Sequence, residues 1–331
     1  MATRSSAWSA VCSGATRSRK CSTGALNCGR RRWARRLSIA RCRATVAVQP
    51  RNPSQSPANP PRSRALHDLD GERPRVTYRD AAGVEHELAG SYVAGCDGFH
   101  GVSRRSIPDG VLTTYSFDHG IGWYTVLADA PPPRYPLMGV SSLGFAAHFA
   151  RGPRASRFYL QYRTGEDPRG WSDELTWGQL RQRLGDGALP DGPITDREIV
   201  EMRSFVVEPM AYGRLFLAGD AAHIITPMGA KGMNLALADA YALARALTAA
   251  ERGGDDGPLR GYSALCLRRT WDYQEFSRWF TEMVHDAGDD SAGGPFRRKL
   301  ATARLDRLFS SPPAAAAFAD LMAGTEFTAE P

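Results

Sequence analysis

From about residue 75 the hydrophobic and polar positions follow the periods of regular secondary structure. Alternation and β-branched or aromatic content predict strands at 75–78 and 87–88, which form a hairpin, and at 91–98, 123–127, 144–149 and 157–162. A short apolar run at 215–218 ends at Gly219 and Asp220, as is typical of a buried parallel strand. These segments predict a sheet-rich body.

Two helices are predicted after the last of these strands. Apolar residues at helical spacing predict the first over 232–251, and it stops at a pair of glycines. Its apolar face is formed by Met233, Leu237, Tyr241 and Ala244. A second amphipathic helix is predicted over 261–283.

Residues 1–64 differ from this body. They are rich in Arg, Ser, Ala and Pro, end in a stretch dense in breakers, and are expected to be disordered. Three interpretations compete: an organelle transit peptide, a basic arm that binds acidic surfaces or nucleic acid, and a translated frameshift or misplaced start that is not native sequence. We favour the third interpretation.

Charge is equally uneven. Residues 1–67 hold 14 of the 42 basic residues and no acidic residue, which leaves 28 basic against 35 acidic residues in the body. The overall excess of basic residues therefore does not indicate a nucleic-acid partner for the body. Four of the six cysteines also lie in the first 64 residues, so the body suits a reducing, cytoplasmic compartment. No apolar run long enough for a membrane span occurs, and no metal-ligand cluster is evident.

Two motifs carry the candidate chemistry. In the first, residues 92–104, a strand ends at Asp97-Gly98 and a Ser-Arg pair follows, which places a carboxylate and backbone N–H groups beside a polyanionic ligand. In isolation an Asp-Gly of this kind is usually only a turn. The second, residues 213–234, delivers Asp220 from a strand to a ribose hydroxyl, and its glycines let the backbone approach a flat ring. The following helix directs its positive end at that ring.

With these motifs the chain resembles the class A flavin-dependent aromatic hydroxylases, and among them the 4-hydroxybenzoate 3-monooxygenase family. Residues 67–74, 96–101, 203–210 and 214–234 carry the resemblance. It implies an α/β fold: an incomplete FAD-binding Rossmann-like domain of the glutathione-reductase type, with an inserted α+β substrate domain and a C-terminal helical segment. The expected limits are 1–64 for the basic head, 65–108 and 207–252 for the FAD-binding parts, 109–206 for the β-rich substrate domain and 253–331 for the helical region.

The resemblance also implies a function and its cofactors. NADPH reduces FAD, O2 adds to give a flavin C4a-hydroperoxide, and oxygen is transferred to a phenolic aromatic acid, in aromatic-compound catabolism. The FAD-binding residues that it implies are Asp97, Gly98, Gly219, Asp220, Gly232, Met233 and Asn234. For NADPH it implies His100, Arg104 and Arg203, and for the backbone beside the substrate ring Pro227. A homodimer is the implied assembly, and His223 is expected to be structural.

The substrate pocket departs from the family. Arg151 and Tyr159 match its contacts to the substrate carboxylate, but Phe149 replaces a serine donor. The paired tyrosines that relay the phenolic proton correspond to Met138 and, by a weaker alignment, Met322. A different aromatic acid is therefore as compatible as 4-hydroxybenzoate, while a merely repacked apolar pocket would explain the same changes.

The chain also lacks a feature of the family. No G-x-G-x-x-G follows a predicted strand, although this loop cradles the FAD pyrophosphate. Two hypotheses stay open: an active hydroxylase, of a phenolic acid or of a polyketide-like phenol, and a truncated or frameshifted remnant without activity. Without that unit, apolar surface should be exposed where its strand and helix would pack.

Overall fold

A computed structural model describes residues 45–48, 62–80, 82–285 and 294–324. The strands are β1 (Thr45–Val48), β2 (Arg62–His67), β3 (Arg75–Arg79), β4 (Glu85–Ala89), β5 (Tyr92–Gly95), β6 (Thr113–Ala128), β7 (Leu137–Ser141), β8 (Gly144–Ala150), β9 (Ser156–Arg163), β10 (Ile194–Glu208), β11 (Ala211–Tyr212), β12 (Leu215–Leu217) and β13 (His223–Ile224). The helices are α1 (Asp173–Leu184), α2 (Gly232–Gly253), α3 (Gly257–Val284), α4 (Gly294–Ser310) and α5 (Pro312–Ala323).

A four-stranded sheet in the order β1-β5-β12-β11 forms the first layer. Strand β5 pairs in parallel with both β1 and β12, so the carboxyl ends of the three strands share one edge. Residues of β5 and β12 are buried against α2 and α3 in one hydrophobic core, which includes Val93, Leu217, Leu243 and Tyr262. The two parallel strands are short and apolar because both faces are covered.

The second sheet is antiparallel, with six strands in the order β13-β10-β6-β9-β8-β7. Its long central strands β6 and β10 pair from Ile194 and Ala128 at one end to Glu208 and Thr113 at the other. One face packs against α1, and the other packs against α3 and the C-terminal helices. A separate three-stranded antiparallel sheet, β2-β3-β4, contains the predicted hairpin.

The sequence predicted much of this architecture. The mixed α/β fold class is confirmed, as are strands in every segment where one was predicted and helices that contain 232–251 and 261–283. The limits of the predicted domains remain predictions. The expectation of disorder for 1–64 is wrong at β1 and at the start of β2, where backbone pairing with β5 and β3 forms strands. The rest of that segment lies outside the described residues.

The predicted orientation of α2 is also wrong. Met233, Leu237 and Tyr241 are exposed by 74%, 62% and 51%, and Ala244 is exposed too. The buried face instead carries Leu235, Asp239, Ala242, Leu243 and Ala246. Helix α3 and the Gly219 turn pack against this face, which leaves the stripe of Met233, Leu237 and Tyr241 on the opposite side.

Candidate functional site

The two motifs lie side by side at one edge of the parallel sheet. The first follows β5 and the second follows β12, and Gly95 is opposite Leu217 in their register. The backbone N–H of Ala218 donates to the carbonyl of Gly95 at 3.0 Å, so the two chains turn away from the sheet together. The crevice at the carboxyl ends of parallel strands is where open α/β sheets bind their ligands.

Asp97 lies in a tight cradle in the first motif. One carboxylate oxygen, Oδ2, accepts from the backbone N–H of Ser103 at 2.9 Å. The other, Oδ1, is buried and has no hydrogen-bond partner among the described residues. Gly98 has a φ of +73°, and a Cβ at Gly101 would lie 2.0 Å from Asp97 Cγ. The loop is therefore closed around the carboxylate and leaves an acceptor available.

In the second motif Gly219 turns the chain with a φ of +59°, a conformation that favours glycine. The next residue, Asp220, is exposed at the edge of the sheet. His223 follows one turn later and is buried, with Nε2 at 2.7 Å from a carboxylate oxygen of Asp239. The motif thus leaves the Asp220 carboxylate exposed, while His223 is held in the interior by its contact with Asp239.

The start of α2 contributes backbone N–H groups. The helix begins at Gly232 without a side-chain cap from Lys231, so the N–H groups of its first turn, including those of Met233 and Asn234, have no capping acceptor. A short turn, Pro227–Gly229, precedes it and leaves Pro227 half-buried. An uncapped helix start is a natural partner for a ring that carries carbonyl oxygens or negative charge.

These features fit the FAD that the resemblance implies. The unpartnered Asp97 Oδ1 is a buried acceptor suited to a ribose or ribityl hydroxyl. Asp220 offers a second carboxylate, and the glycine turns bring backbone close to the ligand without Cβ atoms in the way. The N–H groups at the start of α2 suit the pyrimidine edge of a flavin.

The three residues predicted to bind NADPH surround one aromatic ring, Phe99. The guanidinium of Arg203 lies 3.9 Å from its centroid and that of Arg104 lies 4.6 Å from it. The ring of His100, which is exposed, meets Phe99 edge to face at 5.0 Å. The structure therefore brings the predicted cations together, and Phe99, which no sequence signal distinguished, is the residue that organises them.

Arg104 differs from the other two because its donors are engaged within the protein. Nη1 donates to the carbonyl of Ala221 at 2.9 Å, and Nη2 donates to that of Phe99 at 2.6 Å. Its guanidinium also lies 4.7 Å from the ring of Phe205. Arg104 thus ties the first motif to the second, which is a structural role beside the predicted contact with a nucleotide.

Arg104→Lys is expected to lower the free energy of unfolding by about 2 kcal/mol, since an ammonium cannot donate to both carbonyls in the same plane. Chemical denaturation monitored by circular dichroism measures the loss. Arg134→Lys is the matched control, because Arg134 is exposed and lies over Tyr135 alone. Equal stability of the two variants would contradict the structural role of Arg104.

The predicted substrate residues share one face of the antiparallel sheet. Met138 is paired with Ala147, Ala147 with Tyr159, and the rings of Phe149 and Tyr159 meet edge to face at 5.6 Å. Arg151 follows β8 on the same side and its side chain is exposed. Met322 lies on α5, where its carbonyl accepts from Lys231 Nζ at 2.5 Å. The structure groups Met138, Phe149 and Tyr159 and leaves Arg151 at their rim.

A buried pair beside this group was not found from the sequence. Trp123 Nε1 donates to His285 Nε2 at 2.8 Å, and the Trp123 ring lies 4.7 Å from that of Tyr159. His285 Nδ1 therefore carries the proton and donates to the carbonyl of Thr281 at 3.1 Å. Burial lowers the pKa of His285 to about 3, so the imidazole is neutral.

In the part of the chain that the structure describes, no group of three or more His, Cys, Asp or Glu side chains could hold a metal ion. Nor does any helix within the described ranges combine the length and the apolar composition required to cross a bilayer.

Comparison with known proteins gives consistent results. The profile of the family described as "FAD binding domain" matches residues 61–277. The chain is 38% identical over 250 residues to p-hydroxybenzoate hydroxylase of Acinetobacter baylyi, covering 74% of this chain and 61% of that protein. It is 30% identical over 220 residues to a 3-amino-4-hydroxybenzoate 2-monooxygenase of Streptomyces platensis, covering 62% and 54%. The chain thus spans less than two thirds of the length of these relatives.

Solved structures agree on the fold. The anhydrotetracycline hydroxylase OxyS from Streptomyces rimosus superposes with a TM-score of 0.61 at 21% identity, covering 79% of this chain and 51% of that one. CabE, an aromatic hydroxylase from angucycline biosynthesis, gives a TM-score of 0.61 at 20% identity, covering 81% and 53%. The family match over residues 61–277 shows that the chain belongs to the FAD-binding domain family, and the relatives that it matches are named as hydroxylases or monooxygenases of aromatic compounds.

Proposed function

We propose that this protein hydroxylates a phenolic aromatic acid with FAD, NADPH and O2. The observation that carries the proposal is the convergence of Asp97, Asp220 and the uncapped start of α2 at the carboxyl edge of two neighbouring parallel strands. FAD, when bound, supplies the reduced ring with which O2 is activated for transfer to an aromatic carbon. The residues of the chain bind and orient the reactants.

Each part of the site has a separate task in this proposal. The carboxylates of Asp97 and Asp220 accept hydrogen bonds from the cofactor's sugar and ribityl hydroxyls. The N–H groups of Gly232, Met233 and Asn234 donate to the pyrimidine edge of the ring and stabilise negative charge there. The backbone at Pro227 lies beside the substrate ring.

The reductant is assigned to the cluster around Phe99. Arg203 and His100 are positive or protonatable groups on the surface and suit the phosphates of a pyridine nucleotide. One relative, from Rhodococcus jostii, is named a probable NADH-specific resorcinol 4-hydroxylase, at 28% identity over 68% of this chain and 41% of its own length. Comparing the oxidation rates of NADPH and NADH therefore tests the choice of NADPH.

For the substrate we propose an aromatic acid whose carboxylate pairs with Arg151 and Tyr159. Two relatives are named for hydroxybenzoates, which supports this class. Phe149 and Met138 supply neither a serine donor nor a phenolic proton relay, so a different aromatic acid is as compatible with this pocket as 4-hydroxybenzoate. A polyketide-like phenol is the alternative substrate, and it would not need Arg151. The proposed assembly is a homodimer.

A second candidate function is a protein that binds a ligand without turnover. The observation behind it is that α2 exposes three large apolar side chains beside the candidate FAD site. A measurement of catalytic turnover distinguishes the hydroxylase from the binding protein. NADPH oxidation that produces a hydroxylated aromatic acid supports the first, and flavin binding without it supports the second.

The purified chain is expected to bind FAD and to quench its fluorescence. Asp220→Ala should raise the dissociation constant of FAD about tenfold, the loss of one charge-assisted hydrogen bond. Fluorescence titration and the visible flavin spectrum measure both. Asp109→Ala, an exposed acid in a loop away from the two motifs, is the control and should bind as the unchanged chain does. If the protein retained no flavin absorbance after incubation with saturating FAD and removal of the unbound cofactor, the proposed function would be refuted.

A further inference from the structure

We propose that Asp239 is a positioning residue for FAD, because it fixes the Gly219–Asp220 turn and the start of α2 as a single unit. The inference rests on the proposed binding of FAD at this edge of the sheet. It concerns a residue on the inner face of α2, two turns into the helix, that neither motif contains.

Asp239 binds two residues of the second motif through its buried carboxylate. Its side chain is 1% exposed, and its Oδ2 accepts from the backbone N–H of Gly219 at 3.0 Å. The same oxygen lies 2.7 Å from Nε2 of His223, which is 2% exposed. Both donors flank Asp220, so the carboxylate is bound on either side of the residue that faces the ligand.

A carboxylate is unusual on this face, which is otherwise built from leucine and alanine. Burying a charged group costs several kcal/mol unless donors compensate it. The donors recorded for this carboxylate are the N–H of Gly219, Nε2 of His223 and the buried thiol of Cys266. If this position served only to pack against its neighbours, a leucine would cost less desolvation free energy than an aspartate. Hydrogen bonds to a charged acceptor are about twice as strong as neutral ones, which suits a turn that must keep a positive φ.

The helix transmits the constraint to the second ligand-binding segment. Asp239 is five residues from Asn234, a distance of about 7.5 Å along a helix axis. A Cβ at Gly219 would lie 3.0 Å from Cβ of Ala236, so the turn and the first two turns of α2 are already in close contact. One buried carboxylate therefore sets the spacing between Asp220 and the N–H groups at the start of the helix.

Tyr262 provides a matched comparison. It lies on α3, is 1% exposed, and its hydroxyl donates to the carbonyl of Leu217 at 2.8 Å. This bond anchors the same strand end, and no hydrogen bond is recorded from the Tyr262 side chain to Gly219 or His223 in the part of the chain that the structure describes. Tyr262→Phe should thus cost stability without moving the turn.

The test uses the full chain with Asp239→Asn, Tyr262→Phe and the exposed control Asp272→Asn. Hydrogen exchange at the Gly219 amide, measured without FAD, should accelerate about tenfold or more in Asp239→Asn only, because that amide loses its charged acceptor. The dissociation constant of FAD should rise about tenfold in Asp239→Asn and stay within about twofold in Tyr262→Phe and Asp272→Asn.

Two results would overturn the proposal. One is an unchanged FAD dissociation constant in Asp239→Asn. The other is an equal rise in Tyr262→Phe, which would reduce Asp239 to general stabilisation. If the unchanged chain itself fails to bind FAD, the proposed function fails, and exchange at Gly219 alone then decides whether Asp239 fixes the turn. An unaltered exchange rate of the Gly219 amide in Asp239→Asn would reject the claim that Asp239 fixes the turn.

Discussion

Gly101→Ala is expected to destabilise the folded chain by about 3 kcal/mol and to weaken FAD binding strongly, because it disrupts Asp97. The added Cβ would lie 2.0 Å from Cγ and 2.2 Å from Oδ2 of Asp97. The carboxylate must then leave its cradle and lose the bond from the Ser103 N–H, which is 2.9 Å long. Both the loop and its free acceptor are affected.

Urea denaturation and FAD titration measure the two effects of Gly101→Ala separately. The matched control is Gly178→Ala in α1, where a Cβ meets nothing within 4 Å. Alanine is the better helix former by about 1 kcal/mol, so this variant should be as stable as the unchanged chain or slightly more so. If Gly101→Ala kept the stability and the FAD affinity of the unchanged chain, the cradle around Asp97 would not have the geometry described here.

The second large effect is a loss of stability in acid from two buried neutral histidines. Burial lowers the pKa of His148 from 6.5 to about 4 and that of His285 from 6.5 to about 3. The unfolded chain then binds protons below about pH 6.5 that the folded chain does not bind. The stabilisation is therefore complete above pH 6.5 and is lost as pH falls toward 4.

Each histidine should contribute a slope of up to about 1.4 kcal/mol per pH unit in this window, or about 3 kcal/mol in all for His148. His148 Nε2 lies 2.9 Å from Ser156 Oγ, whose own proton is directed at the carbonyls of Ala130 and Pro131, so Nε2 is the donor. His148 Nδ1 is buried and has no partner among the described residues. A protonated ring would bury a second donor as well as a charge.

Unfolding free energies measured from pH 7 to pH 4 test this expectation. His148→Gln should reduce the slope by close to one proton, whatever its effect on stability at pH 7. Ser156→Ala removes the hydrogen-bond partner but leaves the imidazole, so it should lower stability at both pH values and keep the slope. A His148→Gln variant with the original slope would exclude His148 as the source of the acid sensitivity.

The sequence by itself determined the elements and the positions of the two motifs. Strand and helix periods placed β3, β5, β8, β9, β12, α2 and α3 correctly, because alternation and helical spacing are local properties of the chain. Asp97 and Asp220 were found for the same reason: each follows a short apolar run and a turn residue within a few positions.

Only the tertiary structure decided which faces of these elements meet. The apolar stripe of Met233, Leu237 and Tyr241 faces outward, since α3 and the Gly219 turn pack on the opposite face of α2, which carries leucines and alanines. Asp239 acts through His223, 16 residues away, and Trp123 acts through His285, 162 residues away. Phe99 meets Arg203, which lies on the central strand β10 of the antiparallel sheet. For Asp239 the only local indication in the sequence is that it is an acidic residue among leucines and alanines on one face of a predicted helix. The residues that hold the site in place find their partners through packing between segments distant in sequence, which no local pattern predicts. The residues predicted to touch the ligand lie within short sequence motifs and can therefore be recognised locally.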